Sequence, residues 1–239
     1  MTTSASQVQR LYLIHVATSP SVPCYLVQTS DGKNVLIDSG FPEGFPQGFQ
    51  RSPNLPPPQL RKNVVEQLAE LGLQPDDIDL LICTHFDVDH AGRHDQFPRA
   101  EHVVQRAHYE LARGGHPRFA GIRAHWDDPA LRYRLVDGDT ELLAGLELIE
   151  TSGHTPGHQA VLVRLPQTGP VLLTIDSVPF ERVFTPEREK GPFDDNLEQL
   201  RASTRKLLDL VERERVALVV FGHDAEQWKT LKKAPEHYS

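Results

Sequence analysis

The chain has 239 residues, 38% hydrophobic and 24% charged, a globular balance with length enough for a sizeable core. Acids outnumber bases 33 to 25, and a formal net charge of −8 argues against a general nucleic-acid binder. Its apolar runs fall far short of the ~20 residues a bilayer needs, and two cysteines, Cys24 and Cys83, exclude a disulfide framework.

Strand-like runs open the chain at Leu11 to Ala17, Cys24 to Gln28 and Val35 to Asp38, with a turn at Ser30 to Lys33. Residues Phe41 to Pro58 hold six prolines and two glycines, so a long loop is expected there. Leu60, Val64, Leu68 and Leu71 recur at helical spacing and predict a helix from Leu60 to Leu71, ended by Gly72. A buried strand follows at Ile78 to Cys83, then a strand at His102 to Gln105 and a helix at about Ala107 to Arg113. Four runs, Tyr133 to Val136, Leu146 to Thr151, Ala160 to Leu165 and Val171 to Ile175, read as a meander. A long helix at Leu197 to Glu212, a strand at Ala217 to Phe221 and a short helix complete the chain. No linker divides it, so residues 1–239 are read as one domain of two sheets with helices outside them. The N-terminal segment Met1 to Arg10 is polar and lacks a basic leader, so a cytoplasmic location is expected.

Twelve histidines are an excess for this length, and imidazole is the commonest metal ligand. They concentrate the search on Thr84-His85-Phe86-Asp87-Val88-Asp89-His90-Ala91-Gly92, where four possible ligands fall within six positions after a buried strand. At extended spacing His85 and Asp87 point the same way, while the adjacent Asp89 and His90 diverge towards a second ion. A loop that merely caps a helix needs one carboxylate, not two flanked by histidines. Three more polar positions follow strand-like runs: His154 within Thr151 to His158, Asp176 after Ile175, and His223 after Gly222. Strands ending together bring such loops to one edge.

The order His85-x-Asp87-x-Asp89-His90, then His154, Asp176 and His223, resembles the metallo-β-lactamase-fold hydrolase superfamily over nearly the whole chain. Gly153-His154-Thr155-Pro156-Gly157-His158-Gln159, Val22 to Val27 and Leu36 to Gly40 are similar to its N-acyl-homoserine lactonase branch. The resemblance implies a four-layer αββα sandwich and two divalent ions. Zn2+ is expected, with Mn2+ or Fe2+ as alternatives. It implies His85, Asp87 and His154 around the first ion, Asp89, His90 and His223 around the second, and Asp176 bridging. Such a pair of ions lowers the pKa of a shared water, and the hydroxide attacks a carbonyl. Asp89 is the residue expected to orient it and pass its proton to the leaving group.

The sequence departs from the family at two positions. Aspartate stands at 87 where histidine is usual, and Pro179, followed by Phe180, stands where the lactonases carry a substrate-contacting tyrosine. Three carboxylates against two dications leave one net positive charge, so a harder first site tolerant of manganese or iron is expected. Phe41, Phe45 and Phe49 in the proline-rich loop and Phe180 are candidates to line an acyl pocket, or equally to form a satellite core or a homodimer contact. Arg113, Arg118, Phe119, His125 and Trp126 are a second candidate rim, and Tyr109 or Tyr133 a substitute for the missing phenol. His15, His94, His102 and His108 read as surface or satisfied positions. His158 reads as a hydrogen-bonding support for a ligand, Asp38 and Asp224 as residues that fix a loop or support a ligand histidine, and the cysteines as core thiols. The expected function is opening of a lactone or related ester. A thioesterase or phosphodiesterase on the same core, or a binding protein that has lost turnover, are the alternatives.

Overall fold

A computed structural model describes residues 6–45 and 58–239. The first sheet runs β1 (Val8–Thr18), β2 (Ser21–Thr29), β3 (Asn34–Ile37), β4 (Leu80–Ile82), β5 (Glu101–Gln105) and β6 (Arg132–Val136) in spatial order. Its first three strands are antiparallel neighbours, and β3 to β6 are parallel. The second sheet is β7 (Thr140–Leu143), β8 (Leu146–Glu150), β9 (Gln159–Leu165), β10 (Gly169–Ile175) and β11 (Leu218–Phe221), a meander closed by one parallel pair.

The period of two along the strands builds the layers. Leu11 and Leu13 of β1 pack between the sheets with Val161, Val163, Val171 and Leu173, while Tyr12 and Ile14 face outward to a second cluster. That outer cluster holds Val64 and Leu68 of α1 (Val64–Glu70) and Ala112 of α2 (Arg106–Arg113). Leu162 and Leu172 face the other way, onto Leu207 and Leu210 of α3 (Leu197–Glu214). Sheets buried on both faces require near-continuous apolar runs, which is what these strands carry. The result is the expected αββα sandwich.

Three expectations need correction. The first helix begins at Val64, not Leu60, because Asn63 accepts from the Glu66 backbone while the Glu66 carboxylate accepts from the Asn63 N–H. Leu60, expected on its apolar face, is 46% exposed and bridges Ala17 instead. Residues 133–136 do not join the meander: β6 lies parallel to β5 in the other sheet, and the short β7 takes the place beside β8. The final helix is one 3-10 turn at Gln227–Lys229.

Of the two readings open for His15, His94, His102 and His108, surface or satisfied, the structure shows the second: all four are buried and hydrogen-bonded. Burial holds His102 down to about 4, against hydrogen bonds to backbone carbonyls that would raise it. It holds His15 at about 4 as well, helped by Arg61 and Lys233. Below the ordinary histidine value of 6.5 the unfolded chain takes up protons that these folded sites refuse. Their contribution to stability is therefore complete above pH 6.5 and is lost as pH falls towards 4, by roughly 3 kcal/mol for His102. Thermal melts between pH 7 and 4.5 should show this decline, and His102→Gln should flatten part of it. An unchanged slope in the variant would refute the assignment.

Candidate metal centre

The C-terminal ends of β3 and β4 meet those of β8, β10 and β11 at one edge of the sandwich. Each end turns sharply into a polar residue. Asp38, after β3, and Ile175, the last residue of β10, have positive φ of 57° and 53°. For a β-branched residue this is an outlier, and such strain gathers where a side chain must be aimed. It aims Asp176, and the ladder between β10 and β11 slips one residue at the same place.

All seven predicted ligands come together. His85, Asp87 and His154 form one group, Asp89, His90 and His223 another, and His85, His90 and Asp176 a third that joins them. Asp87 Oδ2 lies 3.3 Å from His85 Nε2 and 3.2 Å from His154 Nε2. Asp176 stands in the middle. Its Oδ2 is 3.4 Å from His154 Nε2 and 3.9 Å from His85 Nε2, while Oδ1 is 3.0 Å from His223 Nε2 and 3.3 Å from His90 Nε2. Asp89 Oδ2 is more distant, 3.8 Å from His90 and 3.9 Å from His223.

Each of the four clustered histidines is oriented through its other nitrogen. His90 Nδ1 meets Asp38 Oδ2 at 2.8 Å, and His85 Nδ1 meets the Thr84 hydroxyl at 3.0 Å, which in turn donates to Asp38. His223 Nδ1 donates to the Ser21 carbonyl, and His154 Nδ1 to Asp194 Oδ1 at 2.9 Å. The four Nε2 atoms are thereby turned into the cluster, as metal-binding imidazoles require. His85 Nε2, His90 Nε2 and Asp176 Oδ1 are buried with no hydrogen-bond partner among the described residues. Orphaned buried polar atoms are costly unless something binds them. Imidazole nitrogens and carboxylate oxygens facing one another fit divalent cations.

The electrostatics agree. Burial would raise Asp176, but His223 and His90 pull it well below the usual carboxylate range. Burial would likewise raise Asp87, yet His85, His154 and Arg118 pull it well down. Burial, and then His90, push His85 well below its ordinary value, leaving it a neutral donor. His154 is drawn up to about 9, because its hydrogen bonds to the Asp194 and Asp87 carboxylates outweigh its burial. Its Nε2 nevertheless lies 2.9 Å from Arg118 Nη2, a contact that only the unprotonated lone pair can make. Proton, guanidinium and metal compete for that lone pair.

The supporting residues were partly foreseen. Asp38 carries His90, and His158, held by Thr151, accepts from the Asp176 N–H. Asp224 does not reach His223's ring but caps the next turn, accepting from Glu226 and Gln227. Asp194 was missed because it lies 40 positions from His154 in a loop without pattern. His108, read as bland, accepts from Phe86 N and donates to Pro156 O, tying the two ligand loops together. Asp194→Ala should weaken cation binding about 10–100-fold in a chelator competition. Unchanged affinity would sink Asp194's supporting role.

The aromatic candidates are placed as follows. Phe41 is buried and stacks on Phe45 at 4.3 Å beside a cavity of about 120 Å³ that also touches Arg61 and Arg93. Phe49 lies outside the described residues. Phe180 sits beneath the Arg182 guanidinium, next to Pro179, whose carbonyl accepts from His223 N. Of the second rim, Phe119 and Trp126 are core, His125 pairs with Asp95 and Arg113 with Asp127, so only Arg118 reaches the centre. The phenols of Tyr133 and Tyr109 are engaged elsewhere, with Trp126 O and Arg113.

The family model described as Metallo-beta-lactamase superfamily matches residues 18–223. The chain belongs to that superfamily. Within it, an N-acyl homoserine lactonase of a Bacillus species is 35% identical over 221 residues, covering 90% of this chain and 85% of the relative. The N-acyl homoserine lactonase AttM of Rhizobium radiobacter is 38% identical over 184 residues, 73% of this chain and 69% of its own. A solved N-acyl homoserine lactone hydrolase, with the product N-hexanoyl-L-homoserine bound at its catalytic metal center, superposes with a TM-score of 0.83 at 30% identity. The match covers 97% of this chain and all of the other. Superfamily members of this fold are metal-dependent hydrolases, and the His and Asp clusters here could hold divalent cations. No helix among the described residues is long and apolar enough to cross a membrane.

Proposed function

We propose that this chain is a dinuclear metal-dependent lactonase, opening N-acyl-homoserine lactones or closely related lactones and esters. The observation that carries the reading is Asp176, whose carboxylate lies within 3.9 Å of the Nε2 atoms of all four imidazoles, with His223 reached by both oxygens at 3.0 and 3.1 Å. His85, Asp87 and His154 would hold one divalent ion and Asp89, His90 and His223 the other, with Asp176 shared. Imidazole-rich sets of this kind suit Zn2+. Bound there, two ions supply Lewis acidity and a water of lowered pKa.

The protein's own residues supply the rest. Asp89 is the most open of the three carboxylates, with its side chain 21% exposed, so it is placed to accept a proton from water and return it to a leaving alkoxide. The Asp38, Asp194 and Ser21 contacts at Nδ1 turn the Nε2 atoms of His90, His154 and His223 into the cluster. Phe180, beside the His223 loop, and the Phe41–Phe45 pair offer apolar surface for an acyl chain. With Pro179 where lactonases carry tyrosine, no phenol is available from that position to hold the substrate carbonyl. Two buried free thiols, Cys24 and Cys83, accord with a reducing cytoplasm.

The test is a pH-stat titration of the metal-loaded protein with homoserine lactones of several chain lengths, alongside thioesters and phosphodiesters. Acid release from lactones, lost on chelation and restored by zinc, is the expected result. Preference for a thioester or phosphodiester, or no turnover with any metal, would overturn it.

A further inference from the structure

Asp87 brings a third carboxylate into a cluster of four histidines, and it has a partner that sequence spacing does not show. Arg118 Nε donates to Asp87 Oδ1 at 2.6 Å and Nη2 to Oδ2 at 2.5 Å, a two-pronged ion pair whose side chains are 18% and 15% exposed. Nη2 also lies 2.9 Å from His154 Nε2. Nη1 donates to the carbonyls of His154 and Phe193 and to Asp195 Oδ1. The guanidinium is therefore pinned by the loops on either side of it and cannot swing free without breaking five hydrogen bonds to carboxylates and carbonyls. A carboxylate has about four lone-pair sites. The fork uses two, and Oδ2 still faces His85 and His154 at 3.3 and 3.2 Å.

We propose that Asp87 and Arg118 act as one neutral ligand unit: the guanidinium cancels the carboxylate's charge, so that the pair stands in for a histidine. Arg118 thereby sets the affinity of the His85–Asp87–His154 group for its cation. The unit explains how aspartate is tolerated where its superfamily most often has histidine. It also alters the charge count, since the excess carboxylate that would make this site harder is neutralised. The inference rests on the dinuclear reading above, and Arg118 is a positioning residue in it, acting through Asp87.

A double-substitution cycle tests it, read by divalent-ion content and by affinity in competition with a chromophoric chelator, with zinc and manganese as probes. D87H alone leaves the guanidinium beside a dication with only the half-exposed Asp195 carboxylate still facing it, and one of the two ions should be bound at least ~100-fold more weakly. Adding R118M should recover at least ~10-fold of that loss, because D87H/R118M is a histidine site without the stray cation. If neither D87H protein folds, R118M alone decides. Its ion-induced rise in melting temperature should exceed that of the wild type, since an unpaired buried carboxylate gains more from a cation. Full loading of D87H, independent effects of the two substitutions, or an equal or smaller rise in R118M would overturn the pair and leave the functional reading standing. A wild-type protein that binds neither zinc nor manganese would overturn both.

Discussion

Asp176→Asn is expected to lower lactone hydrolysis at least about a thousandfold, or ~4 kcal/mol of barrier. The side chain keeps its shape but loses the charge that faces His90 through Oδ1, His85 and His154 through Oδ2, and His223 through both. A neutral amide can offer one acceptor and turns donors towards the opposite imidazole pair. Both ion groups are weakened together, so elemental analysis should find fewer than two divalent ions per chain. Activity within tenfold of wild type, with full metal content, would show that Asp176 does not join the groups. Substitution at Asp89 probes a different quantity, the proton's path, and should reduce turnover more than it reduces metal content.

The second large effect is on folding rather than chemistry. Gly153→Ala is expected to destabilise the protein by ~4 kcal/mol or more, lowering its melting temperature by roughly 8–16 °C for a chain of this size. Gly153 has φ of +138°, and a Cβ there would lie 2.4 Å from Leu200 N and 2.5 Å from its Cα, in the first turn of α3. Backbone cannot give way as a flexible side chain can. The same glycine's carbonyl accepts from Asn196 N at 2.9 Å and so anchors the cap of that helix. Moving the turn also moves His154 away from Asp194, so cation binding should fall with stability. Gly32→Ala is the control: φ is +85°, but nothing lies within 4 Å, so only the backbone cost of ~1–2 kcal/mol applies. Equal effects at the two positions would remove the packing argument.

These two predictions draw on different kinds of information. The seven residues that gather at the sheet edge were legible in the residue order, because each chemically distinctive side chain follows the end of a buried apolar run. Period-two and 3.6-residue patterns are local, so strand and helix identities followed from them. The exceptions lay where local pattern is weakest. Leu60 fits the helical stripe, yet the Asn63–Glu66 capping box three residues on starts the helix later. Residues 133–136 alternate as a meander strand would, but pairing partner is a tertiary choice, and β6 went to β5.

By itself, then, the sequence determined the class of fold, the donor types and their order along the chain, since these depend on residues near one another. It contained the departure at Asp87 but not its resolution. Only the tertiary structure decided that Asp176 stands among four imidazoles, that Asp194 meets His154 Nδ1, and that Arg118, 31 positions away, forks onto Asp87. Charge pairing and hydrogen bonding act over a few ångströms of space, whatever the distance along the chain. Where loops without periodicity carry the partners, folding alone brings them together.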